Sequence, residues 1–127
     1  MPGRLHNVVL DCPDPPALAA FYSALLGWPV VRSDNDWWTI SDGTGPRLAF
    51  QLAPDHVPPA WPDPGRPQQL HLDIVVDDIE AAEAEVLALG ATRLPGGEED
   101  FRVYADPAGH PFCLEFGDLV LAAFPRL

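Results

Sequence analysis

The chain of 127 residues has the length of one ordinary domain, and its 47% hydrophobic content is enough for a core and too high for a disordered chain. A formal net charge of −12 repels phosphate backbones and anionic membrane surfaces, so we expect neither nucleic acid nor a membrane as partner. No apolar run approaches the roughly 20 residues that a membrane-spanning helix needs. With two cysteines and no signal-peptide pattern, we expect a cytoplasmic protein with free thiols.

Two segments of the chain repeat one order of patterns: a strand, an acidic helix start, a helix and a glycine. Asp14 followed by Pro15 predicts the start of the first helix, and Gly27 its end. Asp77 and Glu80 have the spacing of a capping box for the second helix, which we expect to end at Gly90. The predicted buried stripes are Leu18, Phe21 and Leu25 in the first helix and Ile79, Ala82, Val86 and Leu89 in the second.

Three short strand patterns follow each helix, at residues 28–32, 37–41 and 47–52 in the first half and 92–94, 101–105 and 112–116 in the second. The sequence therefore predicts an α+β fold of two tandem β–α–β–β–β modules, which form a curved mixed sheet, a cup, with the helices on its outer face. Within one domain we place module one at about residues 5–52, a proline-rich linker loop at 53–67, module two at about 68–116 and a C-terminal tail at 117–127.

Alternation along the strands separates an apolar face from a mixed polar face. A solvated sheet face gives the same alternation, but a mixture of His, Asp, Arg, Gln, Tyr, Cys and Glu is more typical of a ligand cavity. The candidate residues on this face are Asn7, Asp11, Arg47, Gln51, His71, Asp73, Arg102, Tyr104, Cys113 and Glu115. Trp37 and Trp61 are either aromatic walls of the same cavity or packing residues.

Several short motifs of the chain match one known superfamily. They are Phe21-Tyr22 with Leu25-Leu26-Gly27, His71-Leu72-Asp73 before Asp77-Asp78, Leu89-Gly90-Ala91, and Asp106-Pro107-Ala108-Gly109 before Phe112-Cys113-Leu114-Glu115. With these motifs the chain resembles the vicinal oxygen chelate superfamily of glyoxalases, bleomycin-resistance proteins and extradiol dioxygenases, over roughly residues 5–116. Residues 59–62, 68–73 and 109–114 resemble, more narrowly, glyoxalase-like domain proteins of actinobacteria. Because this scaffold carries many chemistries, the resemblance implies a fold more closely than a function.

The resemblance implies candidate metal ligands. Enzymes of the superfamily commonly hold one divalent metal ion with four His, Gln or Glu side chains, from the first and last strand of each module. Carried over to this chain, the positions fall on Asn7, Gln51, His71 and Cys113. Cys113 stands where the family usually has its final Glu, and Glu115, two residues further on, is too far along the strand to replace it. An imidazole with a thiolate suits zinc best. We therefore expect either a zinc ion at His71, Gln51 and Cys113, or a metal-free site in which His71 is a hydrogen-bonding or acid–base group.

Two functions follow from these expectations. The first is a glyoxalase-like enzyme with isomerase, lyase or epimerase chemistry on an oxygenated metabolite. His71 or Asp73 would move the proton, and Arg47 or Arg102 would stabilise developing negative charge. Asp73 has an equal alternative role in an ion pair with Arg47 or Arg102.

The second function is a binding protein that sequesters a drug or secondary metabolite, as bleomycin-resistance proteins do. The incomplete ligand set, the tryptophans and the acidic charge favour a cationic aromatic ligand, although the acidity can serve solubility alone. The resemblance also implies a homodimer, because members of the superfamily often build or complete the cup between two chains.

Overall fold

The structure, a computed structural model, describes residues 1–124. The chain divides into two compact units, Met1–Val57 and Pro58–Leu127. Each unit contains one β–α–β–β–β module, which confirms the predicted α+β class and the internal repeat. The last three residues of the predicted C-terminal tail lie outside the described residues.

The first module forms a four-stranded mixed sheet. Its elements are β1 (Asn7–Cys12), α1 (Pro15–Leu26), β2 (Val30–Ser33), β3 (Trp37–Ile40) and β4 (Arg47–Leu52). The strand order is β1-β4-β3-β2, with β1 and β4 parallel and the other neighbours antiparallel. Helix α1 carries the chain from β1 to β2 at the opposite edge of the sheet, and β4 then returns beside β1 as its parallel partner.

The second module repeats this topology. Its elements are β5 (Leu72–Val75), α2 (Ile79–Ala88), β6 (Thr92–Arg93), β7 (Phe101–Ala105) and β8 (Pro111–Glu115). The order is β5-β8-β7-β6, and β5 and β8 are again the parallel pair. A short helix, α3 (Asp118–Ala123), occupies the segment predicted as a tail. No helix in residues 1–124 has the length and apolar character to cross a bilayer.

Helix α1 begins and ends where its sequence predicts. The Asp14 carboxylate accepts a hydrogen bond from the Ala17 amide at 3.2 Å, and Gly27 closes the helix with a left-handed φ of 71°. Tyr22 is fully buried on the sheet and its ring stacks on Phe50, with ring centroids 5.8 Å apart. The core of the first unit therefore lies between α1 and the apolar face of its sheet.

Helix α2 begins one residue later than predicted. Asp78, and not Asp77, caps it by accepting a hydrogen bond from the Ala81 amide at 3.1 Å. The predicted capping box is therefore wrong, and the Glu80 carboxylate instead accepts a hydrogen bond from Arg102 on β7. Of the predicted apolar stripe only Val86 is buried.

Candidate functional site

A pocket of about 270 Å³ lies within the second unit. Its apolar walls are Trp61, Gly97, Phe101, Val103 and Pro111, and its polar lining residues are Gln68, His71 and Cys113. Phe101 and Val103 come from β7, and Pro111 and Cys113 from β8, so the floor of the pocket is one face of the second sheet. An apolar pocket with a few convergent polar groups is the usual form of a small-molecule site.

The proline-rich loop before β5 supplies one wall. The indole Nε1 of Trp61 donates a hydrogen bond to the Pro95 carbonyl at 2.8 Å, which fixes the ring against the pocket. Backbone hydrogen bonds such as Ala60 N to Arg66 O, at 2.9 Å, fold the loop on itself. A Cβ at Gly109 would lie 2.4 Å from Pro58 Cβ, so this close approach requires glycine. The loop is therefore tied to the second unit by named contacts.

Three chemically active side chains meet at one edge of the pocket. His71 Nε2 lies 3.2 Å from Asp73 Oδ1, and the donor atoms of His71, Asp73 and Cys113 all lie within 4.8 Å of one another. Asp73 and Cys113 are register partners in the parallel pair β5–β8, which places their side chains on the same face. Strand alternation predicted this shared face. In the neutral tautomer that points its Nε2 hydrogen at Asp73, the Nδ1 atom of His71 is the base.

Burial and neighbouring charge act on the thiol and on Glu115. Burial, followed by the Asp73 and Glu115 carboxylates, raises the pKa of Cys113 to about 11. Cys113 is therefore a neutral thiol at physiological pH and a poor nucleophile. Partial burial, then Asp73 and Asp100, raise the pKa of Glu115 above its ordinary value. Carboxylates thus crowd the surroundings of Cys113 and Glu115 on β8.

Gln68 is a pocket residue that the sequence analysis did not select. Its Oε1 atom is buried, and among the described residues it is the one buried side-chain polar atom without a hydrogen-bond partner. Gln68 precedes β5 in an irregular segment, where no strand or helix period assigns a face. Buried polar atoms are normally paired, so an unpaired one beside a pocket points to a partner supplied by a ligand or water.

Arg102 and Tyr104 lie on the opposite face of the second sheet, and their predicted place in the cavity is wrong. Arg102 Nη2 contacts Glu80 at 2.6 Å and its Nη1 contacts Glu83 at 3.1 Å. The Tyr104 hydroxyl donates to Glu83 at 2.8 Å. Both side chains therefore face α2, because the helix offers carboxylates and the pocket offers apolar walls. The alternative pairing of Asp73 with Arg102 is excluded by the same contacts.

The other candidates occupy one face of the first sheet. Register pairs Asn7 with Arg47, and Gln51 with both Asp11 and Trp37. Arg47 donates from Nε to the side-chain Oδ1 of Asn7 at 3.3 Å and also contacts the His6 imidazole. The face assignment made from alternation is therefore confirmed for Asn7, Asp11, Arg47 and Gln51, and Trp37 lies on the same face. A role for any of them in binding stays a prediction.

Comparison with known proteins identifies the family. Residues 7–115 match the model of the glyoxalase-like domain. The chain belongs to the glyoxalase-like domain family. No curated protein sequence matches it.

Solved structures share the fold of this glyoxalase-like domain at low sequence identity. A glyoxalase/bleomycin resistance protein/dioxygenase family enzyme from Burkholderia phytofirmans PsJN is 18% identical, with a TM-score of 0.70 over 90% of this chain and 98% of the other. A glyoxalase-related enzyme from Fulvimarina pelagi is 20% identical, with a TM-score of 0.68 over 90% and 88%. Fosfomycin resistance protein FosX from Mesorhizobium loti is 15% identical, with a TM-score of 0.68 over 94% and 95%. The family match confirms the predicted glyoxalase-like domain, and the likeness to these structures concerns the fold alone. The narrower resemblance to actinobacterial proteins stays a prediction.

The second unit of this glyoxalase-like domain offers a donor set that fits zinc. His71, Asp73 and Cys113 supply nitrogen, oxygen and sulfur atoms within one coordination-sized space, and zinc accepts all three ligand types. Binding would require Cys113 to lose the proton that its surroundings now favour, which a divalent cation promotes. The structure groups Asp73, and not Gln51, with His71 and Cys113. Gln51 belongs to the first unit, so the predicted zinc site at His71, Gln51 and Cys113 stays a prediction.

Proposed function

We propose that this glyoxalase-like domain is a small-molecule enzyme that moves a proton on an oxygenated organic substrate held in the pocket of the second unit. The observation that carries the proposal is the 3.2 Å contact between His71 Nε2 and Asp73 Oδ1 beside that pocket. A base whose second nitrogen is held by a carboxylate is a recurring arrangement in proton-transfer enzymes. The similar proteins from Burkholderia phytofirmans and Fulvimarina pelagi, both described as enzymes, support the same direction.

The chain's own residues suffice to describe the proton path. Asp73 fixes the imidazole so that Nδ1 of His71 takes a proton from a carbon next to a carbonyl group. The bonding pair stays on the substrate as an enolate, and Asp73 stabilises the imidazolium that forms. Return of the proton to the other face or to the neighbouring atom gives an epimer or an isomer. A zinc ion bound at His71, Asp73 and Cys113 would polarise the carbonyl oxygen, but it would occupy the lone-pair nitrogen of His71, so it would be an alternative to His71 acting as the base.

One observation favours the second candidate function, a binding protein that sequesters its ligand. Arg102, the residue expected to stabilise an enolate, is held by Glu80 and Glu83 on the other face of the sheet. Among the described residues, no arginine lines this pocket. A protein that only binds its ligand needs no such cation.

Hydrogen–deuterium exchange separates the two functions even while the substrate is unidentified. The purified protein is incubated in D2O with a panel of neutral ketones, 2-oxo acids, 2-hydroxy ketones and amino ketones, and loss of the α-proton signal is followed by NMR. An enzyme accelerates exchange for at least one class. We expect His71→Gln and Asp73→Asn to slow that exchange by about 100-fold or more. The zinc content and the exchange rate of the same protein are measured before and after dialysis against a chelator, which shows whether bound zinc contributes to exchange.

The matched control is Glu85→Gln, which also removes one negative charge but lies exposed on α2. It should leave exchange unchanged. Exchange that survives His71→Gln would contradict the assigned base. Binding of panel members without exchange in any class would instead establish the binding protein.

The proposal retains two expectations from the sequence: a homodimer and a cytoplasmic location. Light scattering on the eluting protein measures the molar mass of the particle. A mass near twice the 13.8 kDa chain supports the dimer, and a mass near the single chain contradicts it.

A further inference from the structure

The polar groups at the pocket have one chemical bias: they accept hydrogen bonds or carry negative charge. Gln68 Oε1 is buried without a partner, and Nδ1 of His71 is an acceptor while Nε2 is held by Asp73. Glu115 lies on the same strand face as Cys113, one alternation further along β8, and its register partner is the pocket residue Phe101. The donors among these groups are the Cys113 thiol, which is weak, and the amide nitrogen of Gln68, which belongs to the same side chain as the unpaired oxygen. A ligand that satisfies this edge must bring hydrogen-bond donors.

The distribution of positive charge in the chain also favours a ligand that brings hydrogen-bond donors. The chain contains no lysine. Two arginines of the second unit, Arg93 and Arg102, contact Glu83 on the α2 side of the sheet. The third described arginine of this unit, Arg66, belongs to the proline-rich loop and is absent from the pocket lining. Asp73 lies beside the pocket residues His71 and Cys113, and Glu115 lies one strand alternation beyond Cys113, where it lines a neighbouring hollow. Within residues 1–124 neither carboxylate has an arginine partner, so an anionic ligand that reaches this edge would meet repulsion.

The volume and the aromatic walls of the pocket limit the size and the apolar part of the ligand. At about 270 Å³ the pocket falls just below the 300–1,000 Å³ of ordinary ligand sites, so it suits one aromatic ring system with a short side chain. Trp61 and Phe101 offer ring faces that attract both aromatic groups and cations.

We propose that the pocket selects an aromatic or similarly apolar molecule that carries one protonated amine, with Gln68, Asp73 and Glu115 as acceptors for the ammonium group. This inference rests on the proposed use of the pocket and names its substrate class. It also supplies what the proton-transfer step lacks. An ammonium group on the substrate places positive charge beside a developing enolate, where the described pocket lining provides none.

Three indole compounds of similar size test the selection: tryptamine as the cation, tryptophol as the neutral analogue and indole-3-propionate as the anion. Each is titrated into ¹⁵N-labelled protein while the Trp61 indole N–H and the Val103 amide are followed by NMR. We expect tryptamine to bind about tenfold more tightly than tryptophol, and indole-3-propionate to bind weakest. Glu115→Gln and Gln68→Met should each remove several-fold of the preference for the amine.

Glu85→Gln is the matched control, because it changes the net charge by the same amount away from the pocket. A preference that falls equally in Glu85→Gln and Glu115→Gln reflects the diffuse negative charge of the surface and overturns the proposal. Equal affinities of the three compounds, or no shift at Trp61 and Val103 with any of them, overturn it as well. These results leave the exchange test of catalysis standing. If the protein selects the amine but exchanges no α-proton, the proposed ligand class is supported and the proposed enzyme function fails.

Discussion

The two modules share one topology but attach their helices to the sheet by different forces. Helix α1 buries five residues, among them Phe21 and Tyr22, whose rings meet edge to face at 5.0 Å. Helix α2 buries Val86 alone. Its attachment is ionic: Glu83 receives hydrogen bonds from Arg93 at 2.6 Å and from the Tyr104 hydroxyl at 2.8 Å. The same connectivity is thus compatible with an aromatic core in one module and a polar network in the other.

This difference predicts different responses to mutation, salt and pH. Apolar burial contributes roughly in proportion to the area removed from water and depends weakly on ionic strength. Ion pairs near the surface are screened by salt and change when a partner titrates.

The largest effect is expected in the first module. Phe50→Ala removes a fully buried ring that stacks on Tyr22 and leaves a cavity, so the free energy of unfolding should fall by about 3–5 kcal/mol. Denaturant unfolding measures it. Phe124→Ala, at an exposed phenylalanine, is the control and should stay within about 0.5 kcal/mol of the parent. A comparable loss in both variants would show that the aromatic stack does not anchor α1.

The ionic attachment of α2 gives the next effect. Glu83→Gln removes the charge that Arg93, Arg102 and the buried Tyr104 hydroxyl share, so the free energy of unfolding should fall by about 1–2 kcal/mol in low salt. The difference from the parent should shrink in 1 M NaCl, because the charge–charge part is screened. Glu85→Gln is the control on the exposed side of α2. An unchanged difference in high salt would mean that Glu83 acts through packing.

The sequence predicts the parts of this comparison that depend on local pattern. Asp14 and Gly27 mark α1 correctly because capping and left-handed geometry are properties of a few neighbouring residues. The strands Arg47–Leu52 and Phe101–Ala105 are found with their predicted bounds. Alternation also places Cys113 and Asp73 on one face.

What the sequence does not predict is the direction in which an alternating strand faces. Alternation shows that Arg102 and Tyr104 share a side, and their polarity suggested the cavity. The contacts are instead with Glu80 and Glu83, three residues apart on one face of α2. A pairing between a helix and a strand some 20 residues later has no local signature. Gln68 is missed for a related reason, since an irregular loop has no period, whereas Trp61 in the same loop is a candidate through its aromatic ring and does line the pocket.

The alkaline pH response sharpens the comparison further. Burial, followed by the hydrogen bond to Glu83, raises the pKa of Tyr104 to about 12 from the 10.0 of an unperturbed tyrosine. The unfolded chain therefore loses this proton before the folded protein does, and the stability contributed by neutral Tyr104 is complete below pH 10 and lost as pH rises to about 12. In Tyr104→Phe this part of the alkaline decline should disappear, at a cost of about 1 kcal/mol near neutral pH. Unfolding curves from pH 8 to pH 12 measure both, and identical pH profiles would contradict the assignment.

The smallest expected effect concerns the two cysteines. Each module contains one cysteine, but one faces the core side of its sheet and the other faces the pocket side. Cys12 on β1 is fully buried on the core side, whereas Cys113 on β8 lines the pocket and is 8% exposed. Native protein treated with iodoacetamide should be alkylated at Cys113 alone, slowly at pH 7.5 and faster towards its pKa of about 11. Asp73→Asn removes a neighbouring negative charge, so the midpoint should move to lower pH, while Glu85→Gln leaves it in place. Peptide mass spectrometry reads out both sites. Folded protein in which Cys113 stays as unreactive as Cys12 would show that the pocket gives Cys113 no access, and the proposed acceptor edge would then be closed to any ligand.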